Sequence, residues 1–201
     1  MAKNFLIGID EVGRGPVAGP VTVCAFKISA DFYKKLEAEN FFEKLRDSKK
    51  LSQKKREEWF KKLKQLSLDN SQDVAFSVLS KTAKQIDHYG ISNCIKKLII
   101  ENLEKISAAE TDQIFLDGSL SAPEKFLNQE TIIKGDEKIP VISFASIMAK
   151  VTRDYYMTRI AEKFPEYNFE KHKGYGTKIH MDNIKKHGVS EMHRLTYLKN
   201  I

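Results

Sequence analysis

Two short runs near the start of the chain, FLIGID at 5–10 and VTVCAFKI at 21–28, are almost wholly apolar and rich in β-branched side chains. Gly and Pro separate them, which predicts two buried strands joined by a tight loop. From Ser52, a candidate N-cap, the segment SQKKREEWFKKLKQL places Trp59, Phe60, Leu63 and Leu66 on one helical face and Lys and Glu on the other. A strand is expected at 74–79, then a helix from Ile91 to Ile106 whose apolar positions are Ile91, Ile95, Leu98, Ile99, Leu103 and Ile106. Strands follow at 113–118 (QIFLDG) and 131–136 (TIIKGD), and then a long helix from about Ile142 to Phe164. Its apolar side reads Phe144, Ile147, Met148, Val151, Tyr155 and Ile160. Beyond Pro165 the chain is basic with a helical pattern. Early strands and later alternating helices predict a mixed α/β sheet with helices packed against it.

The length of 201 residues suits one core, and no repeat, low-complexity tract or linker divides it, so a single domain over 1–201 is expected. A hydrophobic content of 41% argues against disorder. The 34 basic and 27 acidic side chains leave a formal charge of +7, which suits a polyanionic partner, either nucleic acid or a membrane surface. Cys24 and Cys94 lack metal-ligand spacing, which predicts neither a disulfide framework nor a zinc ribbon and fits a reducing cytoplasm. The apolar run at 5–9 is too short for a signal segment or a membrane span.

The candidate chemistry lies in GIDEVGRGPVAGP at 8–20, where Asp10 and Glu11 close an apolar run. Neighbours on a regular strand point to opposite faces, so these two acids are expected to converge only where the backbone leaves the strand. Asp117 and Asp136 also end apolar runs, each beside a glycine. Carboxylates gathered at one rim repel one another unless a cation sits among them, and an oxygen-only donor set suits Mg2+ or Mn2+. A turn role for such acids stands beside the chemical one. The glycines are spaced GxGxxxG, which departs from the dinucleotide-binding fingerprint.

Six blocks in order, GIDEVGRGPVAGP, DSKKLS at 47–52, FLDG at 115–118, KGD at 134–136, SFASIMAKVTRD at 143–154 and HKGYGTKIH at 172–180, resemble ribonuclease HII over nearly the whole chain. The resemblance implies a ribonuclease H-like fold, a mixed β-sheet flanked by helices with a helical C-terminal part from about residue 165. It implies a two-metal-ion endonuclease whose catalytic and metal-binding acids are Asp10, Glu11, Asp117 and Asp136, using Mg2+ or Mn2+. The expected substrates are RNA/DNA hybrids and DNA duplexes containing single ribonucleotides, cut 5′ of the ribonucleotide to leave 3′-hydroxyl and 5′-phosphate ends.

The same resemblance assigns Gly13, Arg14 and Gly15 to reading the ribose 2′-hydroxyl, the one difference at that sugar between RNA and DNA. It also implies stacking of Tyr175 on a nucleotide sugar. Ser48, Lys49, Lys50, His172 and Lys173 are expected at backbone phosphates, with a solvated face as the alternative for the lysines. For Arg14 the alternative is pairing with a surface acid, and for Tyr175 a loop aromatic. Asp154 is expected to pair with Lys150 one helical turn before it rather than to bind metal. His180 and His187, seven apart, are too far separated on a helix to share an ion, so no zinc is expected. A monomer without membrane contact is expected, with its protein partners unspecified. Three rivals remain: ribonuclease HIII, which carries an N-terminal extension for which acids at 10 and 11 leave no room, a non-catalytic nucleic-acid-binding module, and a Rossmann nucleotide binder.

Overall fold

The computed structural model describes residues 3–42, 45 and 51–199. Five strands form one mixed sheet: β1 (Phe5–Val12), β2 (Val21–Ser29), β3 (Val74–Lys81), β4 (Gln113–Asp117) and β5 (Gln129–Ile132), in the order β3-β2-β1-β4-β5. β1–β2 and β2–β3 are antiparallel, whereas β1–β4 and β4–β5 are parallel. Around the sheet lie α1 (Ala30–Ala38), α2 (Gln53–Asp69), α3 (Ala83–Tyr89), α4 (Ile91–Lys105), α5 (Gly135–Lys138), α6 (Pro140–Ala161), α7 (Phe169–His172) and α8 (Lys178–His187).

Strand alternation sorts the core into two layers. Ile7, Ile9, Val21, Val23 and Ala25 pack against Ile95, Leu98, Ile99 and Leu103 of α4. Cys24, Phe26 and Ile28 turn the other way, onto Phe144, Ile147 and Met148 of α6 and Trp59 and Leu63 of α2. α2 starts at the expected cap, the Ser52 hydroxyl accepting from the Lys55 N–H. A third apolar cluster, including Met157, Tyr167, Phe169 and Ile184, holds the C-terminal helical part together. Both cysteines are free and buried. Among the described residues no helix is long and apolar enough to cross a membrane.

α6 is the element that brings side chains to the sheet's rim, and Gly8 lets it do so. A Cβ at residue 8 would sit 2.1 Å from the Val141 carbonyl oxygen, so only glycine admits the helix this close to β1. α6 runs from Pro140 to Ala161 instead of 142–164 and is buried on most sides. Tyr155, expected in its core face, is 41% exposed. The expected strand at 131–136 is corrected too. β5 ends at Ile132, Lys134 takes a left-handed conformation (φ 55°), and Asp136 lies in the first turn of α5. Two helices, α1 and α3, were not expected.

Candidate active site

Asp10, Glu11, Asp117 and Asp136 line one cleft of about 270 Å3, together with Val12, Arg56, Ser146, Ile147 and Lys150. The backbone does not leave the strand at Asp10 and Glu11, as the sequence suggested it must: β1 stays paired with β2 as far as Val12. What ends is β4. Its last pairing with β1 is Ile9 with Leu116, so among the described residues the end of β1 has no strand partner on that side. Side chains from both faces of β1 can therefore reach the open rim. Asp117, the last residue of β4, accepts a hydrogen bond at its Oδ1 from the Gly135 N–H at 2.6 Å. That bond ties β4 to the short helix carrying Asp136.

Burial raises Asp10 well above the ordinary carboxylate range, and the charges of Glu11 and Asp117 add to it. Hydrogen bonds from the Ser146 hydroxyl and the Glu11 N–H oppose the rise without cancelling it. Burial likewise raises Glu11; Arg14 counters this and Asp117 reinforces it. The cleft's own cations bond elsewhere, Lys150 to Asp154 at 2.9 Å, as expected, and Arg56 to the Leu51 carbonyl at 2.6 Å. Among the described residues no three His, Cys, Asp or Glu side chains converge as a preformed metal-binding group. The donor set still fits Mg2+ or Mn2+: it is oxygen-only and negative, and Mg2+ is usually held by one or two carboxylates with waters and substrate phosphates completing its shell.

The loop after β1 is braced from beneath by two buried arginines that the sequence did not single out. Arg153 of α6 donates to the carbonyls of Pro20 (2.8 Å), Ala18 (3.2 Å) and Lys173 (2.9 Å). Arg194 donates to those of Gly13 (2.7 Å), Arg14 (3.1 Å) and Gly19 (2.9 Å). Their partners lie far away in sequence, so no local pattern announces them. Arg14 itself is half exposed and pairs with Glu11 at 3.3 Å. Tyr175 is 44% exposed on a turn bonded directly to the same loop, the Gly174 carbonyl accepting from the N–H groups of Val17 and Ala18. Gly174 has φ +87°, and a Cβ there would lie 2.2 Å from the Ala18 carbonyl oxygen. Only glycine allows this seam.

His172 departs from its expected place at a phosphate. It is buried, its Nε2 donates to the Tyr167 carbonyl at 2.8 Å, and its Nδ1 accepts from the Gly174 N–H at 3.2 Å. Both ring nitrogens thus hold the turn under Tyr175. His180 stacks on it at 4.2 Å and bonds His193 at 3.1 Å and the Tyr175 carbonyl at 2.8 Å, a cluster that the spacing of His180 and His187 did not suggest. The Lys173 ammonium donates to the Thr158 hydroxyl and the Glu170 carbonyl. Ser48, Lys49 and Lys50 lie outside the described residues.

The family model described as Ribonuclease HII matches residues 7–200. The chain belongs to the ribonuclease HII family. It is 42% identical over 201 residues to ribonuclease HII of Caldicellulosiruptor bescii, covering 98% of this chain and 88% of that one. The crystal structure of ribonuclease H2 from Pyrococcus horikoshii OT3 superposes with a TM-score of 0.72 at 26% identity, covering 96% of this chain and 93% of that one. Bst-RNase HIII in complex with Mn2+ shares the fold at a TM-score of 0.63 and 18% identity, covering 97% of this chain and 67% of that one. The chain is accordingly a hydrolytic endonuclease of the ribonuclease H family, which sets aside the Rossmann and purely binding alternatives.

Proposed function

We propose that this ribonuclease HII-family chain cuts the RNA strand of RNA/DNA hybrids and single ribonucleotides embedded in duplex DNA, on the 5′ side of the ribonucleotide. The observation that carries this reading is the shared cleft of Asp10, Glu11, Asp117 and Asp136 beside a loop bonded to the Tyr175 turn. The four acids hold Mg2+ or Mn2+. Bound there, such ions supply an activated water and stabilisation of the leaving oxygen. Ser146 and the Glu11 N–H orient the Asp10 carboxylate, and the Gly135 N–H fixes that of Asp117.

The loop's direction supports a role in reading the sugar. Because a peptide unit is planar and trans, its N–H points opposite to the preceding carbonyl. Arg194 draws the Gly13 and Arg14 carbonyls inward, which turns the N–H groups of Arg14 and Gly15 outward. Neither N–H meets an acceptor among the described residues. They can donate to a ribose oxygen or a phosphate, while Tyr175 stacks on the adjoining sugar and Arg14 and Lys173 contact phosphates. Base identity then matters little, because sugar and phosphate contacts carry no direct sequence information. The protein acts as a monomer in the cytoplasm.

Four otherwise identical duplexes test this reading: all-deoxy, one ribonucleotide, one 2′-O-methyl ribonucleotide, and a continuous RNA strand on DNA. With Mg2+ or Mn2+, only the single-ribonucleotide and hybrid duplexes are cut, leaving 3′-hydroxyl and 5′-phosphate ends. Comparable cutting of the all-deoxy duplex, or 2′,3′-cyclic phosphate products, overturns it.

A further inference from the structure

The loop at 13–15 is held by a segment near the other end of the chain, and that segment is itself held by one carboxylate. Leu195–Tyr197 form a single 3-10 turn directly after Arg194. The Asp87 carboxylate receives the Leu195 N–H on Oδ2 at 2.8 Å, and the Thr196 N–H at 3.0 Å together with the Thr196 hydroxyl on Oδ1. Asp87 stands on α3, a short helix fixed at its start by a reciprocal Thr82–Gln85 capping box and anchored by the buried Ile86. From the clamped turn, Tyr197 donates its hydroxyl to the Arg14 carbonyl at 3.1 Å. The Arg194 guanidinium lies 5.2 Å from the Tyr197 ring centroid and holds the carbonyls of Gly13 and Arg14. The Arg14 carbonyl thus takes one donor from the turn that Asp87 secures and a second from the residue just before it.

We infer that Asp87 is a positioning residue for ribose reading: by clamping the 195–197 turn, it sets the carbonyl directions of Gly13 and Arg14 and hence the outward aim of the Arg14 and Gly15 N–H groups. The inference rests on the sugar-reading role proposed above. Among the described residues Asp87 bonds Leu195 and Thr196 and neither the loop nor a rim acid, so its effect passes through Arg194 and Tyr197. A turn whose three carboxylate bonds are cut can shift by tenths of an ångström, enough to misalign donors whose strength falls steeply with angle.

The test measures binding without cleavage, by fluorescence anisotropy in EDTA, for a single-ribonucleotide duplex and its all-deoxy counterpart. The wild type prefers the ribonucleotide duplex. Asp87→Ala reduces the ratio of the two affinities by about tenfold, the scale of a lost charge-assisted hydrogen bond. Asp87→Asn, which keeps one carbonyl acceptor for the turn, recovers part of the preference. Tyr197→Phe, which deletes only the hydroxyl on the Arg14 carbonyl, lowers the ratio by a smaller factor and covers the case in which Asp87→Ala fails to fold. A wild type that binds both duplexes alike overturns the sugar-reading role and this inference with it. A discriminating wild type whose preference survives in Tyr197→Phe and in folded Asp87→Ala overturns the inference alone.

Discussion

The molecule buries two groups of like charge and treats them in opposite ways. Arg153 and Arg194 are both fully buried, and burial reinforced by Arg194 lowers Arg153 to about 10, still charged at neutral pH. Six hydrogen bonds to main-chain carbonyls surround the pair. Bonds to a charged group contribute roughly 1.5–3 kcal/mol each, enough together to offset a desolvation cost of several kcal/mol per ion. The chain solvates its buried guanidiniums by itself. Asp10 at the rim is not compensated in this way: burial and the charges of Glu11 and Asp117 outweigh its two hydrogen bonds. The first group is scaffold, complete as folded. The second, on the function proposed above, is a site that cations from outside would complete.

The largest expected effect comes from neutralising the incomplete group. Asp10→Asn and Asp117→Asn should each lower Mg2+-dependent turnover by at least about 100-fold with circular dichroism unchanged, since metal stabilisation of developing charge supplies several kcal/mol. Asp136→Asn should follow them, whereas Asp154→Asn, which cuts only the pair with Lys150, should keep far more activity. The reverse order for the last two would place the fourth acid at 154.

A smaller effect belongs to the braced side. Tyr175→Ala should weaken cleavage of a single-ribonucleotide duplex by about 10- to 100-fold, the range of one stacking contact, while Tyr175→Phe keeps most of it. Equal small losses would make Tyr175 a loop aromatic beside a substrate it does not touch.

The histidines beneath that turn give a pH signature. Burial lowers His180 to about 4, below its ordinary 6.5. A folded-state pKa below the unfolded one contributes stability that is present above pH 6.5 and lost as pH falls toward 4. The thermal midpoint of the wild type should therefore lose its advantage over His180→Asn as pH drops through that window. A difference between the two proteins that stays constant from pH 7.5 to 4.5 would show that the cluster is not held neutral.

How legible these two groups were in the sequence follows from where their partners lie. The four acids each close an apolar run beside or near a glycine, a local signal, and the structure brings all four to one cleft. The same local reasoning failed at Asp136, because the left-handed Lys134 ends β5 early and starts a helix that an apolar run cannot announce. α3 was within reach, since Thr82 and Gln85 have capping-box spacing, but its seven residues carry too little apolar periodicity to stand out. Arg153, Arg194 and Asp87 were beyond reach for another reason. Their bonds to the loop and to the C-terminal turn mostly span more than a hundred residues, so tertiary structure alone defines their roles.

Calorimetric titration of Mn2+ into the metal-free protein, in two buffers of different ionisation enthalpy, tests the contrast most directly. Burial raises both Asp10 and Glu11, so a cation bound between them competes with their protons increasingly as pH falls. The account predicts saturable binding with proton release that grows as pH falls, and loss of that binding in Asp10→Asn. Binding that survives unchanged in Asp10→Asn, or no saturable binding to the wild type at millimolar Mn2+, would contradict it.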